Sequence, residues 1–186
     1  MKLVRFLSVF ILICLALPNL QAEDRIVPFK PAWWCRGGHF QTIYGGLFRA
    51  KPDLPLRRER LEIPDGDFID LDWLDGGKDK PMVVILHGLG SSAHVPYVLS
   101  MLEEIQKTGW RAVAINARGS LEPNRLLETT HAGKSEDLEF VLSHLFGAGE
   151  DEVYLIGYSL GGNVVLKWLG EKIKAVSKEV IKAAVV

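Results

Sequence analysis

Val153-Tyr154-Leu155-Ile156-Gly157-Tyr158-Ser159-Leu160-Gly161-Gly162-Asn163 is the stretch on which the fold turns. Its first four residues form a short apolar run, as in a strand buried in a sheet, and residues 163–171 carry helical spacing. Between them lies a G-x-S-x-G pattern, Gly157 to Gly161. That pattern is a weak signal alone, and its position between strand and helix gives it meaning. The glycines allow a turn too tight for side chains, and the turn lifts the Ser159 hydroxyl above the sheet edge. The free N–H groups and dipole of the following helix face any charge that develops there. A Gly-rich phosphate-binding turn is the competing reading, but neither G-x-x-x-x-G-K-[ST] nor G-x-G-x-x-G is present.

The alternation of strand and helix extends outward from this stretch. Met82-Val83-Val84-Ile85-Leu86 is a continuous apolar run, and Ala112-Val113-Ala114-Ile115 is a second. Pro96 to Lys107 places Val98, Met101, Leu102 and Ile105 at helical spacing, with Gly109 as its C-cap. Ser135 is placed to cap a helix with Glu136 and Asp137 in its first turn and Leu138, Val141, Leu142 and Leu145 as its buried stripe. Ala183-Ala184-Val185-Val186 opens one more strand. Upstream, Ile63-Pro64-Asp65-Gly66-Asp67 is a hairpin turn, followed by Ile69, Leu71 and Trp73 alternating with Asp70 and Asp72. We read those two carboxylates as a solvated face. The expectation is an α/β fold with a mostly parallel sheet, an antiparallel N-terminal hairpin and one domain core over residues 61–186.

Residues 23–60 read as an N-terminal extension rich in Pro, Gly and aromatics, with short helical turns and Trp33-Trp34 as a hydrophobic plug. Before it, Lys2 and Arg5 precede an apolar stretch from Phe6 to Leu17, closed by Pro18, with Ala22 ahead of Glu23-Asp24. The stretch is short of the roughly 20 residues that span a bilayer, so residues 1–22 read as a secretory signal peptide, or as an uncleaved anchor. Export, or association with a membrane through this segment, is the expectation. The 22 Lys and Arg balance 23 Asp and Glu, which leaves no electrostatic case for a nucleic-acid partner. Two cysteines, Cys14 and Cys35, make no disulfide framework and no metal-ligand spacing. No metal or organic cofactor is implied.

His87-Gly88-Leu89-Gly90-Ser91-Ser92 follows the strand ending at Leu86. Acyl transfer passes through an oxyanion that two backbone N–H groups can hold. Leu160, just after the serine, and Leu89, in this loop, are the candidate donors. His87 reads as a brace for the loop rather than a proton carrier; His94 and His131, in their own loops, read as loop braces, with a place in the site lining as the alternative for either. His39 and His144 are left unassigned. Asn124 and Arg125 read as partners for carbonyls or adjoining acids. The chain resembles the YheT-like branch of the α/β-hydrolases, in family 4. The resemblance rests on Pro31-Ala32-Trp33-Trp34, Gly38-His39-Phe40-Gln41-Thr42, Pro64-Asp65-Gly66-Asp67-Phe68, the loop from His87, and His94-Val95-Pro96-Tyr97-Val98. It continues through Glu122-Pro123-Asn124-Arg125-Leu126, His131-Ala132-Gly133-Lys134-Ser135-Glu136-Asp137-Leu138 and the Gly157–Asn163 elbow. It implies a serine hydrolase of carboxylic esters, with short-chain esters or acylglycerols as small-molecule or lipid substrates. The loop from Arg118 to Glu122 runs a residue shorter than is usual in that branch.

A serine needs a general base, and the base an acidic orienter. In α/β-hydrolases the chain order is Ser, then Asp or Glu, then His. After Ser159 there is no histidine and no aspartate, and Glu171 and Glu179 read as surface charge. The triad acid and His are therefore absent from this chain, and the sequence ends on an apolar strand. We expect the N-terminal part of a longer hydrolase, with C-terminal strands missing, inactive as given. The alternatives are an acyltransferase using the same acyl-enzyme and a non-catalytic remnant that binds lipid or a partner.

Overall fold

A computed structural model describes residues 30–48, 50–172 and 180–186; the segment 1–22 and Glu179 lie outside the described residues. The chain divides into two compact units, Met1–Phe40 and Gln41–Val186. In the first, Trp33 and Trp34 are exposed, which corrects the reading of the pair as a plug. They stand on a turn, and Trp34 meets Phe40 edge to face at 6.4 Å. Helix α1 (Gly38–Leu47) spans the boundary between the units.

In the second unit, β1 (Arg57–Glu62), β2 (Phe68–Leu74), β3 (Met82–Leu86), β4 (Arg111–Asn116), β5 (Val153–Gly157) and β6 (Ile181–Val185) form one sheet, ordered β1-β2-β4-β3-β5-β6. β1/β2 and β2/β4 are antiparallel, and β3/β4, β3/β5 and β5/β6 are parallel. The hairpin turns on Gly66, at φ +90°, with the Ile63 amide donating to the Asp67 carbonyl at 3.0 Å. β1 starts at Arg57, inside the stretch read as N-terminal extension.

β3 lies at the centre, which explains its unbroken apolar run. Met82, Val84 and Leu86 pack with α3 (Glu136–Gly147) and α4 (Leu160–Lys172), while Val83 and Ile85 pack with α2 (Pro96–Thr108) on the other face. Gly109 ends α2 in the left-handed region at φ +74°, its amide donating to the Gln106 carbonyl. The buried stripe of α3 is Leu138, Val141, Leu142 and Leu145, as its spacing predicts.

Two readings need correction. Asp70 and Asp72 are not a solvated face: both are buried, and Arg60 and Arg58 of β1 pair with them through two hydrogen bonds each, at 2.8 and 2.9 Å respectively. Asn116 adds a bond to Asp72 at 2.8 Å. The alternation put both carboxylates on one face, and the neighbouring strand's guanidinium groups cover that face. Ser135 stands at the N-cap of α3 but makes no side-chain cap bond. Its hydroxyl donates instead to Glu171 of α4 at 2.8 Å and accepts from Lys167 at 2.8 Å. Glu171 is an exposed charge, as its sequence context predicts, and also ties α4 to the start of α3.

Candidate active site

The elbow between β5 and α4 is held by its backbone. Tyr158 N–H donates to the Leu86 carbonyl at 2.9 Å, Gly161 N–H to the Tyr158 carbonyl at 2.9 Å, and Asn163 N–H to the Ser159 carbonyl at 3.1 Å. Ser159 between them is at φ +51°, in the left-handed region that costs a non-glycine residue of order 1–3 kcal/mol. Its flanking glycines have a steric cause. A Cβ on Gly157 would lie 2.5 Å from Gly162 Cα, and one on Gly161 would lie 2.6 Å from the Leu86 carbonyl oxygen. The first turn of α4 lies directly on the ends of β5 and β3, and only hydrogen atoms fit the gap. The result is an exposed serine on a strained bend.

The loop after β3 faces that bend. Gly88 is close enough that a Cβ there would lie 3.3 Å from Ser159 Cβ. Gly88, Leu89, Gly90, Tyr97, Tyr158 and Ser159 line one open depression. Among the described residues, no hydrogen bond takes the amide of Leu89 or of Leu160. The structure thus brings Ser159, Leu89 and Leu160 into one neighbourhood, with Leu89 and Leu160 also lining a second cavity of about 220 Å³.

His87 fixes the base of the loop. Ala117 N–H donates to His87 Nε2 at 3.1 Å, so Nε2 is the acceptor and the proton sits on Nδ1, which donates to the Gly88 carbonyl at 2.7 Å. With both ring nitrogens committed, His87 braces β3 against the end of β4. Burial holds its pKa below the ordinary 6.5, against the opposing hydrogen bond to Gly88. As pH falls through 6.5 the unfolded chain takes up a proton that folded His87 resists, so this residue makes the fold lose stability on acidification and regain it above 6.5. Urea midpoints measured on either side of pH 6.5 should show that loss, and it should be smaller in His87→Gln.

The remaining histidines are also engaged in local contacts. His94 Nε2 lies 3.1 Å from Asp72 and 2.7 Å from Arg58, and His131 Nδ1 accepts from Gly133 N–H at 3.0 Å. His144 lies 3.5 Å from Glu59. Asn124 donates to the Phe68 carbonyl and Arg125 to Glu62 and the Gly66 carbonyl, the partners their sequence context predicts. Ser159 Oγ has no hydrogen-bond partner among the described residues.

The sequence reading missed Tyr97. Its hydroxyl accepts from Gly88 N–H at 3.0 Å and pairs with Ser91 Oγ at 2.9 Å, while its ring packs against Tyr158 at 4.7 Å. One side chain therefore touches both the 88–91 loop and the residue before Ser159. Its signal was its place in the segment His94-Val95-Pro96-Tyr97-Val98. Arg118 was also passed over. It is buried at the end of β4 and binds Asp137 through Nε at 2.9 Å and Nη2 at 2.7 Å, and Asp65 and Asp67 through Nη1 at 2.7 and 3.3 Å.

A six-stranded, mostly parallel sheet with a strained serine elbow at the end of its fifth strand defines an α/β-hydrolase. Residues 81–186 match the alpha/beta hydrolase fold family, and the chain belongs to it. It is 40% identical over 132 residues to "Putative esterase YheT" of Escherichia coli K12, covering 68% of this chain and 39% of that protein. It is 31% identical over 153 residues to human "Phospholipase ABHD3", covering 77% of this chain and 37% of the relative. The chain thus spans about two fifths of the length of these relatives. Among solved structures, the Pyrococcus furiosus esterase Pf2001 superposes with a TM-score of 0.55 at 25% identity, over 68% of this chain and 49% of that one. Mouse alpha/beta hydrolase domain-containing protein 10 gives a TM-score of 0.53 at 22% identity, over 69% and 48% of the respective chains, a likeness of fold.

Proposed function

We propose that this chain carries the nucleophile and oxyanion site of a serine hydrolase of carboxylic esters, acting on short-chain esters or acylglycerols. The observation that carries the reading is Ser159, exposed and at φ +51° on the elbow, beside a glycine loop with an unengaged amide. Ser159 Oγ attacks the ester carbonyl, and the oxyanion is held by the Leu89 and Leu160 amides. The C–O bond to the alcohol then breaks and the alcohol leaves with a proton. Water hydrolyses the acyl-enzyme in a second step. Relatives named as an esterase and a phospholipase support the ester class.

Attack requires that the serine proton be taken. His87, His94 and His131 are engaged elsewhere, and no histidine or aspartate follows Ser159 in the sequence. We propose that the 186-residue polypeptide alone does not turn esters over. With p-nitrophenyl butyrate, the chain and its Ser159→Ala variant should release p-nitrophenol at the same background rate. Turnover that disappears in Ser159→Ala would overturn the inactivity and retain the nucleophile. Export or membrane anchoring through residues 1–22 belongs to the same proposal and rests on the sequence pattern. No helix among the described residues is long and apolar enough to cross a membrane.

A further inference from the structure

The direction of the Leu89 amide is decided at Gly88. The chain passes close to the nucleophile there, since a Cβ on residue 88 would lie 3.3 Å from Ser159 Cβ and 3.5 Å from the Tyr97 hydroxyl. Glycine suits that approach, but it leaves the backbone torsions on either side nearly unrestrained. An amide beside it keeps one direction only if other groups hold the chain. An oxyanion donor acts through being fixed in advance, so the hold is part of the chemistry.

Two side chains supply it, one on each side of Gly88. The Gly88–Leu89 peptide is planar and trans, so its carbonyl and its N–H point opposite ways. His87 Nδ1 donates to that carbonyl at 2.7 Å, which turns the Leu89 N–H away from His87. The preceding peptide is held by its own N–H, which donates to the Tyr97 hydroxyl at 3.0 Å. With both flanking peptide planes held, φ and ψ of Gly88 are held as well.

Tyr97 comes from a rigid support. It stands in the first turn of α2, after Pro96, and the adjoining Val98 and Leu99 are buried against the sheet. Its oxygen also shares a hydrogen bond with Ser91 Oγ at 2.9 Å, so one atom ties residues 88 and 91 and leaves Leu89 and Gly90 between two tethers. Its ring meets that of Tyr158, the residue before Ser159, at 4.7 Å. We propose that Tyr97 is a positioning residue of the oxyanion site: by engaging the Gly88 N–H it sets the direction of the Leu89 N–H and removes the Gly88 amide as a competing donor. The inference rests on the reading of Ser159 as an ester-cleaving nucleophile and gives that site a residue that acts through Gly88.

Tyr97→Phe keeps the ring against Tyr158 and removes only the oxygen. The test titrates butylboronic acid into the ¹⁵N-labelled full chain, with and without this substitution. Boron-11 spectra read the adduct on Ser159, and proton–nitrogen spectra read the Leu89 and Leu160 amides in the same samples. The unaltered chain should move both amide protons downfield. Tyr97→Phe should still form the adduct, about five- to tenfold more weakly, the worth of one neutral hydrogen bond. Leu160 should move as before and Leu89 should stay in place, whereas a general loosening of the loop and elbow would weaken both shifts together. Full movement of Leu89 in Tyr97→Phe, or equal fading of both amides, would overturn the inference. Hydrogen exchange in the unaltered free chain is a second reading that needs no variant. Corrected for intrinsic rates, the Gly88 N–H should exchange more slowly than the Leu89 N–H, and equal rates would also overturn the inference. Failure here is separable from failure of the nucleophile reading. If the unaltered chain forms the adduct, only the role of Tyr97 is at stake; if it forms none, the reading beneath falls and this inference with it.

Discussion

Gly161→Ala is expected to destabilise the fold by about 3 kcal/mol, the upper end of what overpacking costs. The added methyl would lie 2.6 Å from the Leu86 carbonyl oxygen, 2.7 Å from that of His87 and 2.8 Å from Leu86 C. All three are backbone atoms of the central strand or the residue that follows it, and no rotamer change moves them. The first turn of α4 would have to lift from β3, which breaks the Tyr158 N–H bond to the Leu86 carbonyl and displaces Ser159 from the 88–91 loop. Gly157→Ala should behave alike, since its methyl would lie 2.5 Å from Gly162 Cα. Gly170→Ala is the control within the same helix. Nothing lies within 4 Å of its Cβ position, so the exchange should stabilise by up to about 1 kcal/mol, the helix propensity difference. Urea unfolding of the three variants reads the contrast directly. Equal effects would mean that the elbow is not packed as described.

Arg118→Met should cost about 3–5 kcal/mol, the penalty for leaving a buried charge without its partner. The guanidinium ties the β1–β2 turn, through Asp65 and Asp67, to the start of α3 through Asp137. Asp67 is 0% exposed. Burial alone would push its carboxyl up; hydrogen bonds from Asn124 and from the Arg125 and Phe68 amides, together with the charge of Arg118, hold it below the usual 3.8. With methionine at 118 the amide bonds remain and the countercharge is gone. Adding Asp67→Asn to Arg118→Met removes the stranded charge and should recover part of the loss. Chemical denaturation of the single and double variants tests both expectations. An Arg118→Met effect below about 1 kcal/mol would place the pair among surface-like contacts.

The fold was legible where local geometry dictates a residue type. The β-branched run of β3 gave a two-sided strand because both its faces are covered. The glycines of the elbow gave a strand–helix turn because backbone atoms lie where a Cβ would be. Gly109 gave the end of α2 because its φ is positive. What covers a face was not legible. The period of β2 placed Asp70 and Asp72 together but carried no sign that Arg58 and Arg60, in the charged stretch RRERLE, form the adjacent strand. Ser135 shows the limit of capping rules, since its hydroxyl found Glu171 and Lys167 in place of the helix amides. Tyr97 and Arg118 act through contacts distant along the chain, with carboxylates up to 53 residues from Arg118, which no local pattern encodes.

The central claim is that Ser159 Oγ stands where a tetrahedral centre can form with its oxygen toward the amides of Leu89 and Leu160. Butylboronic acid tests it without a histidine, because solvent base can take the serine proton as the boron–oxygen bond forms. Boron-11 and proton–nitrogen spectra of the same sample should show tetrahedral boron, lost in Ser159→Ala, and downfield movement of both amide protons. Boron that stays trigonal, or an adduct that leaves the Leu89 and Leu160 amides unmoved, would contradict the account.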